Sequence, residues 1–207
     1  LKFGYVGKPL FNVEIKIAHD GEILAKGPNI MSGYYRNEDA TKEVFDEDGW
    51  FHTGDIGIID EDGFLKITDR KKSLIVTSGG KNIAPAPIEL KVATSSFVEQ
   101  IHIIGDKRNF LSALIVPNYE ALTSYLKSQN NDLKEPNALI DHPDVLELFK
   151  NEVDNAMTDF SNYEKIKKFT LLTEPFSIEK GEMTPKMSIV KKVVEQNYSE
   201  QINKMYN

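Results

Sequence analysis

Apolar and polar residues alternate along the first part of the chain with the two-residue period of half-buried β-strands. Residues 11–19 show this alternation, and residues 22–26 resume as a strand after the turn signal Asp20-Gly21, which together predict a hairpin. Residues 56–59 and 64–67 predict a second hairpin around a short polar turn. The first part of the chain is therefore predicted to be rich in β-structure.

Helices enter the pattern further along the chain. A short helix is predicted over residues 37–45, with Asn37 as its N-cap and acidic residues in its first turn. Beyond residue 68, strands are predicted over 74–77, 98–105, 111–116 and 166–172, and helices over 87–94, 144–160 and 189–205. The polar segment 128–143 is predicted to be a long surface loop.

Two of these helices carry an apolar stripe at helical spacing. The first stripe consists of Leu146, Phe149, Val153, Met157 and Phe160, and the second of Val190, Val194, Tyr198 and Met205. The fold class is therefore expected to be α+β. A β-rich piece over residues 1–68 precedes a small mixed α/β domain over residues 69–207, with a central sheet and flanking helices.

Charge and composition exclude several classes of function. The net charge is −7, from 25 basic and 32 acidic residues, which argues against a nucleic-acid-binding protein. The chain has no cysteine, which excludes disulfides, thiol nucleophiles and cysteine-based metal sites. No apolar run approaches the ~18 residues of a membrane span. The chain begins with Leu1 rather than methionine, so we expect it to be a piece of a longer, cytoplasmic protein.

Two glycine-containing segments are candidates for ligand binding. In residues 49–55, the Asp55 carboxylate could accept hydrogen bonds from two hydroxyl groups, as an acidic residue does when it holds a ribose; the alternative is an ordinary turn beside buried aromatic rings. In residues 69–83, Arg70 is one of three arginines and offers a planar, bidentate donor, while Gly79-Gly80 would let a ligand approach the backbone. The alternative there is a solvated run of charge.

A third segment, residues 181–188, precedes the last predicted helix. Lys186 lies in it between a proline and a methionine and could swing towards a ligand. The alternative is a helix-entry loop in which Thr184 or Ser188 caps the helix and Lys186 is solvated. The four histidines lack the spacing of metal ligands, so no metal site is expected in this chain.

Four stretches taken together resemble the adenylate-forming acyl-activating superfamily, and specifically its long-chain fatty-acid–CoA ligases. They are GEILAKGPNIMSGYY at 21–35, DGWFHTGD at 48–55, the hinge segment at 69–89, and the lysine loop at 181–192. The resemblance implies that a fatty acid and ATP form acyl-AMP, and that CoA then displaces AMP. It further implies that residues 1–68 are the end of the large AMP-binding N-terminal domain, and that residues 69–207 are the mobile C-terminal domain.

The resemblance also implies roles for individual residues. Asp55 and Arg70 would bind the ribose of ATP or AMP, and Lys72 would be the hinge pivot. Gly79 and Gly80 would line the route of the CoA pantetheine arm. Lys186 would be the catalytic lysine of adenylation, with Lys191 as the alternative, because this loop departs from the usual motif.

Further implications concern cofactors and partners. ATP and CoA would be required, and the Mg²⁺ site, like the phosphate-binding loop, is expected upstream of this chain. The chain alone is therefore expected to be inactive. Peripheral membrane contact would suit a lipid substrate, although the acidic charge does not support it.

Asp69 stands where the family usually has glycine, so the local backbone is expected to differ.

Two alternatives to a CoA ligase stay open. The first is an acyl-AMP ligase that delivers acyl groups to a carrier protein. Such relatives often carry extra sequence near the hinge, and none is seen between Arg70 and Glu89. The second is a non-catalytic module that binds a nucleotide or a partner.

Overall fold

A computed structural model describes residues 2–129, 133 and 135–207. The chain divides into two compact units, Leu1–Leu74 and Ile75–Asn207. The sequence-predicted boundary between residues 68 and 69 lies within a strand of the first unit, and the division between the units follows that strand. The structure thus has mixed α/β character, with a β-rich first unit and a second unit in which helices flank a sheet, as the sequence predicted.

Unit 1 is an antiparallel sheet of four strands in sequence order, with one short helix. Its elements are β1 (Glu14–Ile17), β2 (Glu22–Lys26), α1 (Glu38–Val44), β3 (Phe51–Ile59) and β4 (Leu65–Arg70). Both predicted hairpins are confirmed, because β1 pairs with β2 and β3 with β4. The predicted capping of α1 is confirmed as well, since the Asn37 side chain accepts from the Ala40 amide.

Unit 1 buries few apolar side chains. Those that are buried in its described residues are Ile23, Leu24, Ala25 and Leu65. Many large apolar side chains are exposed instead: Phe3, Val6, Leu10, Phe11, Met31, Tyr34, Tyr35, Ile58, Ile59 and Ile67. An apolar surface of this extent is unusual for a protein that functions alone in water.

Unit 2 contains a three-stranded sheet, a small hairpin and most of the helices. Its elements are β5 (Ile75–Val76), β6 (Asn82–Ile83), α2 (Pro85–Val92), β7 (Val98–Ile104), β8 (Leu111–Pro117), α3 (Tyr119–Ser128), α4 (Pro136–Ile140), α5 (Pro143–Ala156), β9 (Ile166–Leu171), α6 (Lys191–Asn197) and α7 (Ser199–Tyr206). None of the helices in the described part of the chain is long and apolar enough to cross a membrane.

The central strand β8 holds unit 2 together. It pairs antiparallel with β7 and parallel with β9, and every one of its residues is buried. Its alternate side chains enter two hydrophobic clusters, with Ala113 and Ile115 in one and Leu114 and Val116 in the other. Both faces of the sheet are therefore covered, which explains why the strand is continuously apolar.

The predicted surface loop over residues 128–143 is wrong in part. The segment 136–140 forms α4, whose Leu139 is buried, while residues 130–132 and 134 lie outside the described part of the chain. Helix α3 was not predicted, although Asn118 caps it and Leu122 and Leu126 form its buried face. Together with α5, these helices make the long crossover that parallel pairing of β8 and β9 requires.

The predicted apolar stripes also need correction. In α5, Val145 is buried and Leu146 is 42% exposed, so the buried face begins one residue earlier than the stripe predicted. The predicted final helix is two helices, because the chain leaves helical geometry at Tyr198, where φ is −104° and ψ is 24°. Its ring packs edge-on against Phe176, and the second helix buries Ile202, which the predicted stripe did not include.

Truncation of Phe149 should destabilise unit 2 far more than truncation of Leu146. Phe149 is 0% exposed, whereas Leu146 is 42% exposed on the same helix. Phe149→Ala leaves a cavity and should lower the free energy of unfolding by about 3–5 kcal/mol. Leu146→Ala should cost less than about 1 kcal/mol. Urea unfolding followed by circular dichroism measures both, and similar losses in the two variants would contradict the assigned face.

Candidate functional site

Asp55 and Arg70 come together in unit 1, although they are distant in sequence. They are cross-strand partners in the antiparallel pairing of β3 and β4. Arg70 Nε lies 2.7 Å from Asp55 Oδ1, and the side chains are 70% and 23% exposed respectively. A carboxylate beside a guanidinium offers acceptors and donors at one place, which suits a ligand with hydroxyl and phosphate groups.

The backbone before Asp55 is not a regular strand. Gly54 has a φ of 72°, a left-handed conformation that favours glycine. The Thr53 hydroxyl donates to the Ile23 carbonyl at 2.7 Å and accepts from the Asp55 amide at 3.1 Å. Asp55 is therefore positioned by this side-chain contact as well as by strand pairing.

A buried carboxylate, Glu22, lies beside this pair. It is 3% exposed and comes from β2. Its Oε1 accepts from the Gly54 amide at 2.9 Å, while its Oε2 lies 2.8 Å from His52 Nδ1 and accepts from Lys71 Nζ at 2.8 Å. One carboxylate thus connects β2, β3 and the turn that follows β4.

Lys71 forms a second ion pair with Asp20, at 2.7 Å. Burial alone would raise the pKa of Glu22, but contacts with Lys71, His52 and the Gly54 amide outweigh it and lower that pKa. Lys71 likewise lowers the pKa of Asp20, and the two carboxylates, Asp20 foremost, raise the pKa of Lys71. All three groups are therefore charged at neutral pH.

A cavity of about 550 Å³ opens next to this network within unit 1. Glu22, Gly54, Arg70 and Lys71 are among the residues that line it. Its volume falls within the usual range of small-molecule sites, and its lining combines a carboxylate with basic groups. With Arg70, Lys71 and Lys72 on its wall, the cavity could hold an anionic group such as a phosphate, whereas Asp55 is not among its lining residues.

Asp69, expected to alter the backbone, lies in β4 beside an irregularity in the pairing with β3. It pairs with Ile56 and does not have a positive φ. Its carboxylate accepts from the Arg70 amide at 2.6 Å. An aspartate here is compatible with the strand, because no left-handed conformation is required of it.

The candidate pivot Lys72 lies in a 3₁₀ turn, Lys71–Ser73, at the end of unit 1. Its side chain is exposed. Leu74, the last residue of the unit, follows in a non-helical conformation with φ −58° and ψ 141°. Lys72 thus lies two residues before Leu74, where unit 1 ends.

Gly79 and Gly80 form the tip of the β5–β6 hairpin in unit 2. Gly80 has a φ of 72°, so glycine is favoured for conformational reasons, and its amide donates to the Thr77 carbonyl at 2.9 Å. A side chain added at Gly80 would meet no atom within 4 Å, and one at Gly79 would meet only the Thr77 hydroxyl at 4.0 Å. The surface above both glycines is open, as a passing ligand would need.

Lys186 is exposed at the tip of a closed loop in unit 2. The loop closes through the Thr184 amide, which donates to the Ser188 carbonyl, and the Met187 amide, which donates to the Thr184 carbonyl, both at 2.8 Å. Lys191, the alternative candidate, is the first residue of α6 and is partly buried. The two lysines therefore differ in setting, since one is carried by a loop tip and the other by a helix.

A second buried carboxylate, Glu182, anchors this loop. It is 1% exposed, accepts from the Ser177 amide at 3.2 Å, and accepts from the Asn197 side chain of α6 at 2.9 Å. Its own carbonyl accepts from the Val190 amide at 2.8 Å. Glu182 thus connects the beginning of the lysine loop to its end, through its contacts with Val190 and Asn197.

One histidine, His102, is buried between two glutamates. His102 is 1% exposed, with its ring nitrogens 3.6 Å from Glu89 and 3.6 Å from Glu195. Burial would lower its pKa, but the two carboxylates outweigh burial and raise it. In the part of the chain that the structure describes, no cluster of histidine and acidic residues could hold a metal ion.

Sequence reasoning singled out neither Glu22 nor Glu182. Glu22 begins a strand whose next three residues are all buried, and a charge next to such a run must find a partner. Glu182 lies beside Met183, which is also buried. For Glu22 the signal was a charged residue next to an apolar run, but its partners Gly54 and Lys71 lie far away in the chain. No comparable run marks Glu182.

Comparison with protein families gives a match over most of the chain. Residues 72–207 match the family described as "AMP-binding enzyme C-terminal domain". The chain is 42% identical over its full length to the long-chain-fatty-acid–CoA ligase FadD15 of Mycobacterium tuberculosis, covering 34% of that protein. It is 36% identical over 98% of its length to the peroxisomal long chain acyl-CoA synthetase 6 of Arabidopsis thaliana, covering 31% of it.

Solved structures show the same similarity. The A domain of carboxylic acid reductase from Segniliparus rugosus, in complex with AMP and a carboxylic acid, superposes with a TM-score of 0.72 at 26% identity. That match covers 96% of this chain and 32% of the solved chain. The chain thus spans about a third of the length of the curated relatives that it matches.

Acidification should weaken unit 1 through Asp20 and Glu22. Because the pKa of each carboxyl group is lowered in the folded state, the stabilisation is present above the unfolded pKa of about 4 and is lost as the pH falls through the folded values. We expect the urea midpoint, followed by fluorescence of the single tryptophan, Trp50, to fall as the pH is lowered below about 5. Glu22→Gln should reduce this pH dependence, and the exposed Glu14→Gln should not. A wild-type pH profile in Glu22→Gln would contradict the assignment.

Proposed function

The chain belongs to the family of AMP-binding enzyme C-terminal domains, and we propose that it is the C-terminal portion of a ligase that joins long-chain fatty acids to CoA. The proposal is carried by the 42% identity to a long-chain-fatty-acid–CoA ligase over the whole chain. The reaction would have two halves. ATP and the fatty acid first give acyl-AMP and pyrophosphate, and the CoA thiol then displaces AMP.

The proposed division of labour follows the two units. Unit 1 would be the end of a large AMP-binding domain, and its exposed apolar side chains, such as Phe3 and Phe11, would be covered by the rest of that domain. Unit 2 would be the mobile C-terminal domain. We propose that the chain alone does not adenylate, because it spans about a third of the relatives' length.

In the adenylation half-reaction, Asp55 and Arg70 would bind the nucleotide. The Asp55 carboxylate would accept hydrogen bonds from the ribose hydroxyls, and the Arg70 guanidinium would donate to the ribose or to phosphate oxygens. Their 2.7 Å ion pair supports this, because it holds each group beside the other before the nucleotide arrives. The Mg²⁺ ion that accompanies ATP would be bound by the upstream part of the protein.

Lys186 would act when the carboxylate attacks the α-phosphorus. Negative charge builds up on the phosphate oxygens at that moment, and an ammonium group placed beside them stabilises it. The exposed loop tip supports Lys186 over Lys191, because a loop can deliver its lysine to another part of the enzyme. Lys191 remains the second choice for this role.

The thioester half-reaction would follow a rotation about Lys72. Its position in a short 3₁₀ turn next to the division of the chain supports a pivot there. The open backbone at Gly79 and Gly80 would then line the route of the pantetheine arm. The same kind of rotation would serve an enzyme that passes the acyl group to a carrier protein. The similarity to a carboxylic acid reductase A domain therefore supports the adenylation half-reaction rather than the choice of acyl acceptor.

Removal of the Lys186 ammonium should slow adenylation selectively in the full-length enzyme. Loss of one preorganised charge typically costs ~3 kcal/mol of barrier, or roughly a hundredfold in rate. We expect Lys186→Ala to slow ATP–pyrophosphate exchange by about that factor, while CoA transfer from supplied acyl-AMP is retained. Lys191→Ala is the matched control. A larger loss in that control would reassign the role, and equal losses in both half-reactions would refute a specific part in adenylation.

Proline at the pivot should separate the two half-reactions. Proline fixes φ near −65° and removes the amide hydrogen, so Lys72→Pro would restrict rotation at this residue. We expect one half-reaction to be slowed selectively, and Lys72→Ala to leave both intact. Single-turnover assays of acyl-AMP formation and of thioester formation test this. If the proline variant slowed both equally, or neither, the pivot would lie elsewhere.

A further inference from the structure

We propose that Glu22 is the positioning residue of the nucleotide ribose site, holding Asp55 and Arg70 in place through the residues next to them. This inference rests on the proposed function, in which Asp55 and Arg70 bind the ribose. Glu22 itself does not contact either side chain in the described contacts. Its effect would be exerted on the backbone before Asp55 and on the side chain after Arg70.

The contacts of the carboxylate carry the argument. Oε1 accepts from the amide of Gly54, the residue before Asp55, at 2.9 Å. Oε2 accepts from the ammonium group of Lys71, the residue after Arg70, at 2.8 Å. A single rigid planar group therefore fixes one neighbour of each ribose-binding residue.

Strand pairing alone does not supply this restraint. The pairing of β2 with β3 is irregular between Glu22 and Leu24, and the pairing of β3 with β4 is irregular between Ile56 and Gly57. On β3 the first irregularity spans the residues between His52 and Ile56, which include Asp55, and the second directly follows Ile56. Gly54, inside the first, has a positive φ. A bulged ladder allows more freedom than a regular one, so the contact between Glu22 and Gly54 adds a restraint on Asp55 beyond its pairing with Arg70 and its contact with Thr53.

Burial makes the contact strong and specific. The Glu22 side chain is 4% exposed, so water cannot take over its hydrogen bonds when they break. Glutamine has the same shape and its oxygen can still accept from the Gly54 amide, but the NH2 group that then replaces Oε2 cannot accept a hydrogen bond from Lys71. Lys71 keeps its ion pair with Asp20 in that variant, which favours a folded protein.

The test compares ATP with 2′-deoxy-ATP in the full-length ligase. The variants are Glu22→Gln, Lys71→Met, Asp55→Asn, and Glu14→Gln as an exposed control in the same sheet. The measured quantity is the ratio of kcat/KM for ATP to kcat/KM for 2′-deoxy-ATP in pyrophosphate exchange. We expect Glu22→Gln to raise the KM for ATP roughly tenfold and to lower this ratio, while Glu14→Gln preserves it.

Each outcome bears on one of the two claims. If Asp55→Asn leaves the ratio unchanged, the ribose assignment in the proposed function fails. If Asp55→Asn lowers the ratio but Glu22→Gln and Lys71→Met keep it at the wild-type value, the inference about Glu22 is overturned and the proposed function stands. An equal loss for both nucleotides in Glu22→Gln marks a general structural role and also overturns it. Should Glu22→Gln fail to fold, Lys71→Met decides, because Glu22 in that variant still accepts from the Gly54 amide and lies beside His52, and only its contact with Lys71 is lost.

Discussion

A buried carboxyl group must be met by hydrogen-bond donors, and this requirement organises the described parts of both units. Glu22 is 3% exposed and Glu182 is 1% exposed. Each would lose free energy of folding if its donors were removed, because water cannot replace them in a buried site. In each unit the donors come from segments that carry candidate functional residues, so the pairing of the charge also places those residues.

The hydrophobic layers provide the frame for these contacts. In unit 2, the fully buried β8 packs helices on both faces, and the lysine loop is attached to α6 on one of them through Glu182. Unit 1 has a much smaller core, and its polar network around Glu22 joins β2, β3 and the turn that follows β4. Polar contacts therefore carry a larger share of the local order in unit 1 than in unit 2.

Many local elements were predictable from the sequence. The two hairpins of unit 1 and the Asn37 cap depend on residues that are neighbours in the chain, so turn and cap chemistry reveal them. Asp55 and Arg70 were named for their chemistry, but their meeting across β3 and β4 follows from a register that the sequence pattern did not specify. Helix α3 was missed, although its cap and apolar spacing were present.

The local pattern of the chain was sufficient for the fold class and for most strands, because strand periodicity and turn signals act over a few residues. Tertiary contacts decided which of these side chains are buried and which of them form contacts with distant residues. Val145 rather than Leu146 faces the core, and the last helix breaks at Tyr198 against Phe176. Glu22 gains its role for the same reason, since it meets Gly54 and Lys71 across 32 and 49 residues of chain. Such contacts depend on how elements pack in space, and no short window of sequence contains both partners.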